Sequence, residues 1–599
     1  MKTFQFNWIV SLFLVVLFVG KSEALNIKYH IGWQHPNSHF LHVSMKISRD
    51  AVDSLDVSLP AWRPGRYVIQ NYVKNLIAFK VHSTDQQPLR AKQVDKDTWR
   101  IYKKPEQDVV IEYDYYARQL DGGSSYLDDS EAYINPVTCC MYVEHQEMHP
   151  VRLTLKQPDG WKVAGALTWD QKSESYWFEN YHELVDTPII VSPDFKRISF
   201  DYKGAKFEIV LQGDANFKPD SLKTDIKKIV SAQIDMMQDI PFKQYWFLYH
   251  LLPKRMGHGV EHKNSTSIVI GPADFTNRKF YRSFLGVTSH EFFHAWNVER
   301  IRPKAIFYPD YSKENYTTTF WIFEGFTSYY GNLILEHTGL VTMKKYLQQL
   351  AGQIKRYENS YGTKVTPVSA VSWDSWTKSY GAAPPNTTYS FYLKGSLLAL
   401  VLDLEIRHET KNKKSLNDVM RYMNIKYAMT DTAIPETGLQ KAVESITGKD
   451  FASFFARYVS GVEQIDFDKT LRFAGLELSR KPDVKDAAVT LGIETRGDER
   501  QTVIANVIPE SSAFNAGLDL DDILLAINGR RASKKNLDLL LQDYSPGDTV
   551  NVLVFRREKL REFPLVLSKN KPSKYEIKEA KKSSGLQSKI FKLWLNVPE

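Results

Sequence analysis

The sequence predicts a multidomain α+β protein with a β-rich first part, a mainly helical middle and a smaller third domain. Two hydrophobic periods and one polar linker support this division. From residue 25 to the 190s, apolar and polar residues alternate, as at Leu41, Val43, Met45 and Ile47, which is the period of strands with one buried face. We therefore expect an antiparallel β-sandwich-like domain over residues 25–195.

The hydrophobic period changes near residue 220. Apolar residues such as Leu222 and Ile226 then fall on one face of a helix. Two apolar runs, 245–252 and 267–270, predict strands, and helix-like segments follow to about residue 462. Residues 196–478 are therefore predicted to form a mostly helical domain with a small sheet.

The last part of the chain divides into a linker, a domain and a tail. The polar, charged stretch 479–486 predicts the linker, and short strands with one or two short helices predict a domain over residues 487–568. The tail, residues 569–599, is basic, since the last thirty residues hold seven Lys and three Glu and so carry half of the net charge of +8. We expect a solvated tail whose apolar residues dock back onto a domain. These residues are Ile590, Leu593, Trp594 and Leu595.

Residues 1–24 have the features of a cleaved secretory signal. Lys2 precedes the apolar run 8–20, and Ser22 and Ala24 supply the small residues that signal peptidase accepts. The run is shorter than the ~20 residues of a spanning helix, which disfavours an uncleaved membrane anchor. We expect an exported chain, periplasmic or secreted, with no transmembrane span in its mature form.

Composition excludes several classes of protein. Two cysteines among 599 residues cannot build a Cys₄ zinc module or a disulfide framework. Cys139 and Cys140, with His145 and His149 nearby, are not expected to form a metal site because adjacent side chains on a strand diverge; a vicinal disulfide would be strained. A net charge of +8 among 148 charged residues gives no indication of a nucleic-acid partner.

An H-E-x-x-H motif at residues 290–294 is the sharpest indication of chemistry. In the helix-compatible run 283–298, this spacing places the His290 and His294 imidazoles on one face, one turn apart, where both can bind one Zn²⁺. Glu291 is then angled toward the metal's water, as suits a general base. The alternative is a helix whose histidines are only packed or solvated.

A catalytic zinc needs a third protein ligand and an open position. Glu324 lies in the aromatic run 321–330, and a carboxylate beside Trp and Phe in a buried helix is costly unless it is paired or binds a metal. We expect Glu324 to complete the ligand set of a single Zn²⁺. The alternative is an exposed glutamate at the start of a helix.

Two further features indicate what the metal centre acts on. Residues 257–262 lie between the two predicted strands, and if an apolar strand edges the cleft, an extended peptide can pair with it while Glu261 receives the peptide's free α-ammonium. Such an anchor is typical of an aminopeptidase. Tyr392, just before a predicted helix 396–407, can donate a hydrogen bond to the oxyanion formed at the scissile carbonyl.

Three ordered motifs resemble a known family. They are Gly259-Val260-Glu261-His262, then His290-Glu291-x-x-His294-Ala295-Trp296-Asn297-Val298-x-Arg300-Ile301-Arg302-Pro303, and then Trp321-x-x-Glu324-Gly325-Phe326-x-x-Tyr329-Tyr330. The chain resembles the PDZ-containing glycyl aminopeptidases, which are gluzincins related to thermolysin and aminopeptidase N. The resemblance implies a thermolysin-like catalytic domain, a C-terminal PDZ domain and a preference for N-terminal Gly or Ala.

The resemblance also implies roles for individual residues. Two departures from the family pattern are Val260, in place of the usual Met, and Ser328, where thermolysin relatives carry an Asp that orients a ligand histidine. The roles carried over by motif are metal ligands for His290, His294 and Glu324, general base for Glu291, substrate binding for Glu261 and Gly259, and the oxyanion donor for Tyr392.

The third domain is similar to a PDZ domain. In that fold the loop formed by Leu491, Gly492 and Ile493 offers backbone N–H groups to a terminal carboxylate, and a strand edge pairs with the peptide. A peptide or protein C-terminus is therefore a candidate partner at this groove. The alternative is a structural or dimer-forming appendage.

Together these features predict a zinc-dependent aminopeptidase that cleaves the N-terminal bond of peptides with a free N-terminus, through a zinc-activated water with Glu291 as general base. Two alternatives remain open from the sequence. One is a PDZ-directed zinc endopeptidase with the same metal site, and the other is a catalytically idle peptide-binding protein.

Overall fold

A computed structural model describes residues 25–48, 52–381, 383–483 and 486–597. The predicted signal segment, residues 1–24, lies outside this described part. The multidomain α+β architecture predicted from the sequence is confirmed, with a β-rich first domain, a helical middle and a small β-rich domain near the C-terminus. In the described part, every helix is too short or too polar to cross a membrane.

The N-terminal domain consists of three sheets. The largest has the strand order β13-β14-β11-β1-β2-β7-β4, and the others are β10-β3-β6-β5 and β12-β15-β9-β8. Pairing is antiparallel except between β1 and β11, which run parallel. The strands are β1 Ile27–Gly32, β2 Phe40–Ile47, β3 Ser54–Ser58, β4 Leu76–His82, β5 Ala91–Asp95, β6 Thr98–Tyr102, β7 Val109–Tyr116, β8 Tyr126–Leu127, β9 Ala132–Ile134, β10 Tyr142–Val143, β11 Val151–Lys156, β12 Lys162–Ala164, β13 Thr168–Asp170, β14 Ser175–Phe178 and β15 Ile189–Ser192, with short helices α1 Pro136–Cys139 and α2 Tyr181–Val185.

Alternation along β2 places its apolar side chains in the core of this domain. Leu41, Val43, Met45 and Ile47 are fully buried, as the period of two predicts. Cys139 and Cys140 lie in the same core as free thiols. A loop of this domain, residues 63–67, contacts the middle domain, which is called the catalytic domain after its sequence prediction.

The catalytic domain has one mixed sheet with the order β16-β17-β18-β20-β19. Strands β17, β18 and β20 are parallel, whereas β16 and β19 pair antiparallel at the two edges. The strands are β16 Lys196–Tyr202, β17 Ala205–Gln212, β18 Gln244–Leu251, β19 Met256–Glu261 and β20 Ser265–Gly271. The helices are α3 Pro219–Met237, α4 Arg278–Phe293, α5 Phe320–His337, α6 Met343–Asn359, α7 Gly362–Val365, α8 Val368–Trp373, α9 Ser375–Lys378, α10 Phe391–Glu409, α11 Leu416–Met423, α12 Gly438–Thr447, α13 Ala452–Tyr458 and α14 Phe467–Arg472.

The strand order of this sheet shows that the prediction of an apolar strand at the edge of the cleft is wrong. The two apolar runs form β18 and β20 in the interior of the sheet, so neither of them edges the cleft. The segment between them, expected only as a connection, is itself the edge strand β19, which runs antiparallel to β20 and ends at Glu261. Its polar, glycine-rich sequence did not predict a strand, because an edge strand needs no continuous apolar run.

Helix α4 begins earlier and ends earlier than predicted. Asn277 caps its first turn by accepting hydrogen bonds from the backbone N–H groups of Lys279 and Phe280 at 2.9 and 3.2 Å. The helix ends at Phe293, and His294 is its C-cap residue with φ −60° and ψ −20°. Because this cap keeps a helical backbone, the one-turn spacing of the two histidines is preserved.

Helices α5 and α10 pack closely behind α4. A Cβ on Gly325 would overlap the backbone of Gly395 and would lie 2.8 Å from the Ser396 nitrogen. Only glycine permits this approach, which fixes the helix bearing Glu324 against the helix bearing Tyr392. The Tyr392 motif thus lies inside the first turn of α10, not ahead of a helix that starts at residue 396.

The third domain is inserted between two strands that pair with each other. Strands β21 and β30 are antiparallel from Leu476↔Glu579 to Lys481↔Lys574, so residues 479–481 of the predicted linker belong to a strand. The remaining elements are β21 Leu476–Lys481, β22 Val489–Thr490, β23 Ile493–Gly497, β24 Thr502–Val507, α15 Ser512–Ala516, β25 Ile523–Ile527, β26 Arg530–Arg531, α16 Leu537–Leu541, β27 Thr549–Arg556, β28 Lys559–Val566, β29 Ser568–Lys569, β30 Lys574–Glu579 and α17 Gly585–Trp594.

The basic tail returns to the catalytic domain as β30 and α17. Ile590, Trp594 and Leu595 are buried in the catalytic core, as predicted, but Leu593 is 56% exposed, so its predicted docking is wrong. On a helix, residue 593 faces away from the side shared by residues 590 and 594. The Trp594 indole N–H donates to the Tyr329 hydroxyl oxygen at 2.9 Å, behind the helix that carries Glu324.

Candidate metal centre and substrate cleft

Helices α4 and α5 bring three ligand atoms together. His290 Nε2 lies 3.1 Å from His294 Nε2, and Glu324 Oε2 lies 3.6 Å from the first and 3.5 Å from the second nitrogen. Ligands at about 2.0–2.1 Å from a tetrahedral zinc are about 3.3–3.4 Å apart. The three atoms therefore have the separations that one Zn²⁺ requires.

Hydrogen bonds orient the two imidazoles. His294 Nδ1 lies 2.6 Å from the carbonyl oxygen of Asn297 and donates to it, which leaves the Nε2 lone pair free for a metal. The Asn297 amide in turn donates to the carbonyls of Ile322 and Phe323 and to the Thr327 hydroxyl oxygen at 3.1–3.3 Å. The two ligand-bearing segments are thereby tied together.

His290 has a weaker partner. Its Nδ1 lies 3.5 Å from the Ser328 hydroxyl oxygen. Ser328 thus occupies the position at which the resemblance predicted a carboxylate in thermolysin relatives. A serine hydroxyl carries no charge, so it orients the ring without adding to the negative charge around the ligands.

Tyr67, from the N-terminal domain, contacts the third ligand. Its hydroxyl donates to Glu324 Oε1 at 3.0 Å, while Oε2 of the same carboxylate faces the histidines. The Tyr67 ring is stacked on Phe320 with a centroid distance of 3.7 Å, and the side chain is buried. Sequence reasoning missed this residue because it is 257 positions from Glu324 and in another domain.

Glu291 lies against the backbone of β19. A Cβ on Gly259 would overlap Glu291 Oε1 and would lie 2.8 Å from Glu291 Cγ. Glycine at this position therefore leaves the room that the Glu291 side chain occupies. The Glu291 carboxylate is buried, and its Oε2 has no hydrogen-bond partner among the described residues, which leaves that oxygen available to a ligand in the cleft.

Glu261 lies at the end of β19, close to Glu291 and His294. Ligand atoms of these three residues are within 4.8 Å of one another, and Glu261 is 7% exposed. A Cβ on Gly65 would be 2.7 Å from Glu261 Oε2, and Gly65 has a φ of +74°, so the loop 63–67 closes over this carboxylate only with glycine there. Gly65 is a second contributor to the site that sequence reasoning missed.

The buried charges explain why the site suits a cation. Burial raises the pKa of Glu261 and Glu291, and the neighbouring Glu324 carboxylate adds to this effect at both. Hydrogen bonds from His290 and His294 outweigh the burial of Glu324 and lower its pKa. The surrounding carboxylates raise the pKa of His294 against its burial. A divalent cation among these three buried glutamates would favour their ionised forms.

Tyr392 lies beside the candidate ligand His290. Its ring is stacked over His290 with a centroid distance of 6.4 Å, and burial raises the pKa of its phenol well above 10, so it stays protonated and able to donate. Lys394, in the same turn, is fully buried, and its ammonium lacks a partner among the described residues. Burial lowers the pKa of Lys394 to about 8.

The predicted carboxylate loop lies in the inserted domain, apart from these residues. Gly492 has a φ of +82°, and its backbone N–H donates to Thr490 Oγ1 at 3.0 Å. Leu491 is buried, and Ile493 begins β23, which is an edge strand paired with β24 on one side. One of the backbone donors expected to bind a terminal carboxylate is thus already engaged within the domain.

The residues present fit a zinc ion. In the described part of the chain, the groups able to hold a metal are His290, His294 and Glu324, and a second group of Glu261, Glu291 and His294 that shares a histidine with the first. The first group has the nitrogen and oxygen donors, the separations and the oriented tautomer of a catalytic zinc site. The second places two further carboxylates beside the open side of that site.

Comparisons with known proteins agree with this arrangement. Residues 28–193 match the Peptidase M61 N-terminal domain, residues 283–398 match M61 glycyl aminopeptidase, and residues 489–567 match a PDZ domain. The chain is similar to the crystal structure of an aminopeptidase N family protein from Idiomarina loihiensis, with 28% identity and a TM-score of 0.86 over 95% of this chain and 100% of that chain.

A weaker similarity extends to other peptidases. An M1 zinc metallopeptidase from Deinococcus radiodurans is 14% identical, with a TM-score of 0.44 over 71% of this chain and 92% of that chain, and supports no conclusion here. A comparison with curated proteins finds no match. The family resemblance and the metallopeptidase class predicted from the sequence motifs are confirmed by these matches.

Proposed function

We propose that this chain, a metallopeptidase that matches the M61 glycyl aminopeptidase models, removes N-terminal Gly or Ala from peptides, with one Zn²⁺ and with Glu291 as general base. The observation that carries the aminopeptidase assignment is the buried carboxylate of Glu261, at the end of the cleft's edge strand and within 4.8 Å of the Glu291 and His294 ligand atoms. A carboxylate at this place binds a free α-ammonium and fixes which bond reaches the reactive centre.

His290, His294 and Glu324 would hold the zinc. When bound, Zn²⁺ supplies a Lewis acid that polarises the scissile carbonyl and makes water a better nucleophile at neutral pH. The chain's own contribution is to hold these ligands rigidly, through Asn297 on one histidine and Tyr67 on the glutamate.

Glu291 and Tyr392 have complementary roles. Glu291 accepts a proton from the attacking water and passes it to the leaving amine, for which its unpaired Oε2 is available. Tyr392 donates its phenolic hydrogen to the oxygen of the carbonyl under attack. Glu291 lies against β19, whereas Tyr392 lies on α10 with its ring beside that of His290.

The space beside Glu261 supports a small N-terminal residue. The cavity there has a volume of about 50 Å³ and is lined by Gly65, Tyr67, Glu261 and Val298, among others. This volume is small beside the several hundred Å³ that drug-sized ligands need, which favours a small N-terminal side chain.

A panel of amino-acid p-nitroanilides tests the aminopeptidase proposal. We expect turnover of the Gly and Ala compounds, loss of turnover with a chelator, recovery with added Zn²⁺, and at least tenfold lower kcat/KM for Leu and Phe compounds. N-acetyl-Ala p-nitroanilide should resist cleavage. Cleavage of the blocked compound, together with unchanged activity of Glu261→Gln, would instead indicate an endopeptidase.

We also propose that the mature chain is exported, on the basis of the signal pattern in residues 1–24. N-terminal sequencing of protein recovered outside the cytoplasm should begin near Leu25. Recovery of the uncut chain from the cytoplasm would refute this proposal.

A further inference from the structure

A second cavity, of about 640 Å³, lies between the catalytic domain and the PDZ domain. Its volume falls within the range of ligand sites, roughly 300–1,000 Å³. The catalytic side includes Lys378 at the end of α9, Tyr380 just after it and Tyr392 at the start of α10. The PDZ side is formed by Glu494, Ala505, Asn506 and Ile508.

This interdomain cavity adjoins the surroundings of the metal centre. Tyr392 lines the cavity, and its ring is stacked with that of His290 at a centroid distance of 6.4 Å. Tyr380 also lines it, and the Tyr380 hydroxyl oxygen accepts a hydrogen bond from the backbone N–H of Tyr67, whose side chain contacts Glu324. The cavity lining therefore includes direct neighbours of the residues around the candidate ligands.

The interdomain cavity is separate from the small cavity that adjoins the amine anchor. Glu261 groups with His294 and lines the small 50 Å³ cavity, which shares no residue with the large one. Tyr392 lines the large cavity, and its ring centroid is 6.4 Å from that of His290. A peptide whose ammonium is bound at Glu261 can therefore place its remaining residues past Tyr392, in the cavity that the PDZ domain walls.

The PDZ side of this cavity is held in place at two points. Strands β21 and β30 pair with each other and so fix both ends of the inserted domain. At the cavity, Asn386 and Asn506 exchange amide hydrogen bonds of 2.7 and 3.1 Å, and Asn386 Nδ2 also donates to the Val507 carbonyl at 2.9 Å. Direct hydrogen bonds between the two domains thus hold the PDZ side of the cavity in place.

The wall also carries an unbalanced charge. Glu494 lies on β23, is exposed, and forms no ion pair with another described residue. On the catalytic side, Lys378 is already paired with Asp374 at 2.6 Å. The free carboxylate on the PDZ side therefore favours a positive charge on whatever occupies the cavity.

Building on the proposed function, we propose that the PDZ domain forms the outer wall of the leaving-group side of the cleft. This wall selects oligopeptide substrates and favours those with a basic residue downstream of the scissile bond. The contact uses the face of β23 and β24 and not the carboxylate loop, where the Gly492 N–H is already engaged by Thr490.

Kinetics of the zinc-loaded full-length mature protein on three substrates test this inference. The substrates are Ala p-nitroanilide, which does not reach the PDZ wall, and two alanine pentapeptides with Lys or Glu at the third position. Ala505→Trp should fill part of the cavity and lower kcat/KM at least tenfold for both pentapeptides, while Ala p-nitroanilide stays within twofold of wild type. Leu560→Trp, at an exposed PDZ position outside the cavity lining, is the matched control.

Charge reversal at the exposed Glu494 provides a second test that disturbs the packing of the PDZ domain less than a new tryptophan does. Wild type should prefer the Lys pentapeptide about two- to fivefold, the range expected for a solvent-exposed ion pair. Glu494→Lys should reverse that preference, and Glu494→Gln should remove it, without a change on Ala p-nitroanilide.

The outcomes separate this inference from the proposed function. Failure of wild type to cleave Ala p-nitroanilide would refute the aminopeptidase itself. With that activity present, the inference is wrong if both Ala505→Trp and Glu494→Lys leave pentapeptide cleavage unchanged, or if they slow all three substrates equally. It is also wrong if amidation of the pentapeptide C-terminus lowers kcat/KM while Glu494→Lys does not, since the carboxylate loop would then be the contact.

Discussion

Replacement of Tyr67 by phenylalanine would separate the contribution of the N-terminal domain to the metal site from its contribution to folding. The Tyr67 hydroxyl is 3.0 Å from Glu324 Oε1, and both groups are buried. Tyr67→Phe removes this hydrogen bond but keeps the ring that stacks on Phe320. The liganding carboxylate then loses the contact that fixes its second oxygen.

Two independent estimates give the size of the effect. A hydrogen bond to a charged group contributes about 1.5–3 kcal/mol. Loss of a hydrogen bond that orients a metal ligand typically lowers metal affinity about 10–100-fold, which corresponds to about 1.4–2.8 kcal/mol. We therefore expect the dissociation constant of Zn²⁺ to rise 10–100-fold in Tyr67→Phe, with kcat at saturating zinc reduced less.

Competition with a chromophoric chelator measures the zinc affinity directly. Tyr29→Phe is the matched control, because the buried Tyr29 hydroxyl also makes one hydrogen bond, to the Met141 carbonyl at 2.6 Å, within the N-terminal domain. Both variants should lower thermal stability by a similar amount, but only Tyr67→Phe should weaken zinc binding. Zinc affinity within twofold of wild type in Tyr67→Phe would refute the orienting role.

Three further predictions concern the base, the edge strand and the C-terminal helix. Glu291→Gln should lower kcat by about 10²–10⁴ while zinc content by elemental analysis stays at wild type, and a variant that keeps full activity would exclude Glu291 as the base. Gly259→Ala should displace the Glu291 side chain and lower kcat at least tenfold, whereas Gly257→Ala, where a Cβ has no neighbour within 4 Å, should be neutral in the same assay. Trp594→Ala should lower the free energy of unfolding by about 3–5 kcal/mol in denaturant titrations, because Trp594 is fully buried. The control Leu593→Ala, at an exposed position of the same helix, should lower it by less than about 0.5 kcal/mol. Equal effects of the two substitutions would contradict docking of the helix.

Local spacing was enough to predict which side chains lie together in the candidate metal centre. His290 and His294 are one helical turn apart whatever the helix packs against, and the aromatic neighbours of Glu324 indicate burial from composition alone. The structure gathers the three ligand atoms within 3.1–3.6 Å of one another. These interactions depend mainly on helix geometry and one close helix pair, which sequence patterns describe well.

Long-range contacts were not predictable in the same way. Tyr67 and Gly65 reach the site from a loop of another domain, and neither belongs to a pattern that marks a ligand or a substrate contact. The edge position of β19 depends on strand order, because pairing partners are set by the whole sheet and not by the strand's own residues. In the tail, Trp594 is buried and Leu593 is exposed. This difference depends on which face of the helix packs against the core.

The sequence by itself determined the domain classes, the family that the chain resembles and the residue types of the candidate metal centre, since these follow from periodicity and from motifs with their spacing. Only the tertiary structure decided which side chains outside the motifs complete that centre and which cavities adjoin it. A small cavity under a loop of the N-terminal domain adjoins Glu261, and a large cavity walled by the PDZ domain adjoins Tyr392. Such shapes arise from contacts between residues hundreds of positions apart, and the chain encodes them only through folding as a whole.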